Sequence, residues 1–137
     1  MMKNKIIYSI ILALGISLTQ TSCSKYEDGP AISFRSTTSR LTNHWKFSKV
    51  TSNSVDITNQ FNGYEWEILD DGTFKCYVNA VQTETGTWRI DDELLDGMLV
   101  FNYSDGDVDL FTIKRLTKNE MTVFVFDVGP FIELTTK

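Results

Sequence analysis

A period of two runs through the sequence from residue 44 to residue 135, and it limits what this chain can build. Trp45 and Phe47 alternate with Lys46 and Ser48. Tyr64, Trp66 and Ile68 alternate with Glu65 and Glu67, and Phe74, Cys76 and Val78 follow Thr73 and Lys75 in the same way. Trp88 and Ile90 alternate with Thr87 and Arg89. Successive side chains of a strand point to opposite faces, so each run sends one set inward and one outward. Further apolar runs cover 98–103, 108–116, 121–128 and 131–135. No stretch beyond residue 40 carries an extended helical stripe, and 55–61 has room for one helical turn or a loop.

Turn chemistry separates the runs. Asp70-Asp71-Gly72 and Asp105-Gly106 suit tight hairpins, where glycine accepts a positive φ. Thr117-Lys118-Asn119-Glu120 reads as a polar hairpin loop, and 93–97 as another turn. Short turns between consecutive runs imply antiparallel neighbours, and about eight such runs predict an all-β, up-and-down antiparallel barrel. Two runs are apolar on both faces. Met121, Val123 and Val125 oppose Phe124, Phe126 and Val128, and 98–103 behaves similarly. Such strands call for a covering segment, a partner, or a barrel flattened toward a sandwich.

The first 22 residues have a different character. Lys3 and Lys5 precede an apolar run at 6–18, and Thr19-Gln20-Thr21-Ser22 leads to Cys23. The apolar run is shorter than the roughly 20 residues of a membrane-spanning helix, which argues against a transmembrane anchor. A basic start, a short apolar core and small residues before a cut site describe a secretory signal peptide over 1–22. Residues 23–40, Ser/Thr-rich and broken by Gly29-Pro30, are expected to be a tether. Residues 41–137 would be the single barrel domain.

Charge removes one class of partner. Lys3 and Lys5 are the only basic residues before Cys23, so 13 − 2 = 11 basic side chains follow it against 18 acidic ones, a net charge of 11 − 18 = −7. An acidic domain is a poor partner for nucleic acid, whose phosphates need a basic surface. Cys76 is the one cysteine beyond Cys23, so a chain lipidated at Cys23 has no intrachain disulfide.

Two resemblances add expectations. Thr21-Ser22-Cys23 resembles the lipobox of bacterial lipoproteins, with Gln20 where that family usually has leucine. It implies acylation of Cys23, which becomes the new N-terminus and anchors the chain to a membrane. Ser24-Lys25-Tyr26-Glu27-Asp28 is similar to the surface-export tag of some Gram-negative gut bacteria, which implies the outer membrane of the cell envelope. Further along come Leu41-Thr42-Asn43-His44-Trp45-Lys46, Val55-Asp56-Ile57-Thr58, Tyr64-Glu65-Trp66, Asp71-Gly72-Thr73-Phe74, Gly86-Thr87-Trp88 and Ile113-Lys114-Arg115-Leu116-Thr117. In that order they resemble the lipocalin-like domains of small bacterial surface lipoproteins, over residues 41–137. The resemblance implies a calycin-type barrel whose cup takes a small apolar molecule, with Trp45 closing the floor. Asn43 stands where lipocalins have glycine. No arginine follows Arg115, although lipocalins lay one over the floor tryptophan.

The candidate ligand-binding residues are Trp45, Tyr64, Trp66, Ile68, Phe74, Trp88 and Val100. The last five are expected to line the cup, and a solid core is the competing outcome, because narrow barrels are filled by side chains. His44, the only histidine, has no sequence neighbour that would make it a base or a ligand. Cys76 reads as a small buried hydrophobe. Asp105, Asp107 and Asp109 could offer oxygens to Ca²⁺ but lack an EF-hand loop, and read as a solvated hairpin, as do Asp91, Asp92, Glu93 and Asp96. No catalytic or metal signature emerges, so the expectation is a non-enzymatic binder without cofactor. Its partners would be the membrane, through the lipid, and either a small apolar or amphipathic ligand or a surface protein.

Overall fold

The computed structural model describes residues 36–93, 97–127 and 129–137. Nine strands follow in chain order: β1 (Asn43–Ser52), β2 (Val55–Asp56), β3 (Tyr64–Ile68), β4 (Thr73–Val78), β5 (Val81–Asp91), β6 (Met98–Tyr103), β7 (Val108–Leu116), β8 (Glu120–Val125) and β9 (Phe131–Thr136). All pairings are antiparallel, and β3 to β9 pair strictly with their sequence neighbours. β9 returns to β1, from Trp45↔Thr136 to Thr51↔Phe131, and closes an eight-stranded barrel. The ninth strand, β2, is a two-residue extension paired only with the end of β1. Closure removes the open sheet edges that would otherwise pair with other chains.

The expected alternation sets which side chains enter the barrel, and three bulges keep it in phase. Phe47 and Val50 are three apart, yet both belong to the core, because the β1–β9 register shifts between Phe47 and Lys49. The shift between Ile113 and Arg115 lets Ile113 and Leu116 both turn inward. A third, in the β4–β5 pair, lies between Cys76 and Tyr77. One extra residue resets the side-chain parity of a strand.

The end of the barrel that holds the start of β1 and the end of β3 is packed shut. A short helix, α1 (Thr37–Leu41), lies across it, with Ser36 Oγ accepting from the Ser39 amide as N-cap. Leu41 is fully buried, and its carbonyl accepts the Trp45 indole N–H at 2.8 Å. Arg40 Nη1 donates to the Leu116 carbonyl at 2.9 Å and ties the helix to β7. The stretch expected to be a tether up to residue 40 therefore ends in a docked helix, because burial of Leu41 requires it. Residues 1–35, with the expected leader, Cys23 and the export-tag resemblance, lie outside the described residues.

The hairpins use more turn chemistry than the Asp-Gly pairs. Gly72 and Gly106 do adopt positive φ. So do both residues of the two-residue turns Asn53-Ser54 and Asn79-Ala80, the backbone that matches the twist of adjoining strands. Between Asp56 and β3 a 3₁₀ turn, Thr58–Phe61, forms where the sequence allowed a helical turn. Of the runs apolar on both faces, 98–103 is buried on both from Met98 to Phe101, whereas Phe126 of the other is 43% exposed, as is the neighbouring Phe131 at 44%. Val128 lies outside the described residues.

Candidate binding cup

At the end opposite α1 the barrel is hollow. A cavity of about 230 Å³ opens there, bounded by the starts of β3, β5, β7 and β9 and the ends of β6 and β8. Its floor is an aromatic layer. Trp66 stands edge-on to Phe101 at 5.2 Å and tilted against Phe111 at 5.1 Å. Below it Phe74 and Phe101 stack at 4.0 Å, 13° from parallel. Phe47, Phe61 and Tyr64 make one wall, with Phe61 carried in by the 3₁₀ turn and its ring 5.2 Å from that of Tyr64.

The opposite wall is polar. Asp109 pairs with Phe101 and Glu84 with Cys76, which puts both carboxylates on the inward face. The Tyr103 hydroxyl donates to Asp109 Oδ2 at 2.8 Å. Burial raises the Tyr103 phenol well above its usual range, with the hydrogen bond to Asp109 and the charges of Asp109 and Glu84 adding to it. Burial pushes the Cys76 thiol up to about 12, helped by the negative charges of Glu84 and Asp109. Cys76 is therefore a protonated thiol at neutral pH, the opposite of what a nucleophile needs.

The structure divides the expected site residues. Tyr64 and Trp66 line the cavity. Trp45, Ile68 and Phe74 are buried below it in the packed half. Trp88 is buried there too, with its indole N–H donating to the Leu69 carbonyl at 2.8 Å. Val100 needs correction. It is buried, 1% exposed, but it pairs with Arg89 and Leu110 on the parity opposite to Leu99 and Phe101 and is not among the residues that line the cup. In an apolar run on both faces, composition does not tell which parity is inside, and the inward residues of β6 are Leu99 and Phe101.

Among the cavity residues that the sequence did not single out as lining are Phe47, Phe61, Glu84, Tyr103 and Asp109. The signal for the carboxylates was present. Asp109 shares parity with Phe111 and Ile113, and Glu84 with Gly86, Trp88 and Ile90. Phe61 carries no period, since it reaches the cup from a turn.

The remaining candidates do not converge. His44 Nε2 lies 2.7 Å from Glu65 Oε2, and Lys137 Nζ reaches the same oxygen at 3.1 Å, on the outer surface. Asp105 accepts from the Asp107 amide while Asp109 turns inward, so the D-G-D-V-D carboxylates do not share an ion. Asp91 pairs with Arg89 at 3.1 Å, and Asp96 lies outside the described residues. Among the described residues no group of three or more His, Cys, Asp or Glu side chains is placed to hold a metal. A wider groove of about 430 Å³ runs over the outer wall beside Phe124 and Phe131. No family model matches the sequence, and no curated protein matches it.

Proposed function

We propose that this chain is a lipid-anchored protein of the bacterial cell envelope whose barrel binds a small apolar or amphipathic molecule without transforming it. The observation that carries the binding role is the half-hollow barrel: aromatic walls and floor, a few convergent polar groups, and one open end. That is the composition of a small-molecule site. The size sets the ligand class. Drug-sized sites begin at about 300 Å³, and a dry cavity of about 150 Å³ already holds benzene. A cup of about 230 Å³ suits one ring with a short substituent, or the end of a longer chain. Support for the anchor comes from the leader, the lipobox resemblance at Thr21-Ser22-Cys23 and the acidic tag after it.

Native mass spectrometry of the protein, purified gently from its host, tests both halves. The expected spectrum shows added acyl mass on Cys23 and a non-covalent adduct lost on collisional activation. A bare mass for the barrel contradicts the binding role, and an unmodified Cys23 contradicts the anchor. A second reading, a surface protein-interaction module, is favoured by the exposed Phe126 and Phe131 beside the outer groove.

A further inference from the structure

We propose that the cup selects an organic cation: a small aromatic or aliphatic group bearing an ammonium, with the apolar part against Phe61, Tyr64 and Trp66 and the charge against Glu84 and Asp109. This rests on the binding role above and narrows it to one charge class.

Three observations point the same way. First, among the described residues the cavity wall contains two carboxylates and no lysine, arginine or histidine. Neither Glu84 nor Asp109 has an ion-pair partner among the described residues. Asp109 is half-buried and Glu84 is exposed at the rim, and carboxylates without a counter-ion around a concavity focus a negative potential on whatever enters. Second, the two charges face one space. Both act on the Cys76 thiol and on the Tyr103 phenol, from β5 and β7 on either flank of β6. The Tyr103 hydroxyl occupies one side of the Asp109 carboxylate, Oδ2, and holds it in place. Third, the wall facing them is aromatic, with Phe47, Phe61, Tyr64 and Trp66 in one connected set at ring separations of 5.0–6.0 Å. Aromatic faces attract cations and repel anions. A fatty acid or other anionic amphiphile would bring its carboxylate toward two others, so the same cup that accepts an amine disfavours the commonest apolar acids.

Calorimetric titration of the full 137-residue chain with three probes of one shape tests this: 2-phenylethylammonium, 2-phenylethanol and 3-phenylpropanoate. The expected order is cation over alcohol over carboxylate, with the cation favoured over the alcohol by about tenfold or more. The double variant Glu84→Gln with Asp109→Asn keeps an acceptor for the Tyr103 hydroxyl. It is expected to bring the cation to within about twofold of the alcohol, the cation-to-alcohol ratio within each protein being the readout. Alcohol binding in the variant also reports that it has folded. Equal affinity for all three probes, or a cation preference that survives the double variant, overturns the proposal and leaves the binding role standing. No binding of any probe overturns both.

Discussion

Phe74 and Gly86 show how closely the packed half of the barrel is fitted. Gly86 pairs with Phe74 and Tyr103, and Phe74 stacks on Phe101. A Cβ on Gly86 would collide with the Asn102 carbonyl oxygen and press on Phe74 Cε1 at 2.9 Å. Gly86→Ala is expected to destabilise the fold by about 1–3 kcal/mol, and Phe74→Ala by about 3–5, since one overfills and the other empties the same site. Urea denaturation of both variants checks this; wild-type midpoints would contradict it. Cys76 gives a second expectation at this scale. With its thiol pushed up to about 12, modification of Cys76 at pH 8, read by peptide mass, should be slower than in the denatured chain by more than about tenfold. A rate equal to that of the denatured chain would mean that the cup wall is not as drawn.

At the scale of elements, the strands were legible and the glycine-free joints Asn53-Ser54 and Asn79-Ala80 were not. Alternation in Tyr64–Ile68 and Thr73–Val78 marked β3 and β4, because half-buried strands print their burial into sequence. Asn79-Ala80 went unrecognised as a turn because it lacks glycine, and with it the start of β5 at Val81. Ala80 holds φ at 65°, where a Cβ is strained. Ala80→Gly should relieve that strain by more than the added flexibility of the unfolded chain opposes it, a net gain of about 0.5–1 kcal/mol. A thermal melt should rise by a few degrees; a fall would refute the turn assignment. The seam between β1, β3 and the residue after β9 is electrostatic. Burial works to raise the Glu65 pKa, but hydrogen bonds and charge from Lys137 and His44 outweigh it and leave the group below its usual value. Asp56 and Asp71 are also lowered, by hydrogen bonds from Thr58 and Thr73 in their turns. A carboxylate with a lowered folded pKa contributes stability above its unfolded pKa, and that contribution is lost as pH falls through the folded value. Melting temperature should therefore drop between about pH 5 and pH 3, and Glu65→Gln should shrink the drop. An unchanged pH profile in that variant would show that the seam is not coupled to folding.

At the scale of the molecule, the period of two was enough to foresee a closed antiparallel barrel with tryptophans inside. It could not say where the barrel is solid. That depends on how side chains of unequal volume share a tapering space, and on α1, whose single apolar anchor, Leu41, leaves no periodic trace in 36–40. The result is a barrel with two halves: Trp45, Ile68, Phe74 and Trp88 fill one, and the other holds the cup. Residues named from the sequence as one lining set therefore fall on both sides of the Trp66–Phe101 layer. Placing 2-phenylethanol on the protein residue by residue, by NMR shift changes during titration, tests this division most directly. Saturable changes should concentrate on Phe61, Tyr64, Trp66 and Tyr103, with the indole signals of Trp45 and Trp88 unmoved. Changes centred on Phe124, Phe126 and Phe131 of the outer wall, or no saturable changes at all, would contradict a ligand-binding cup.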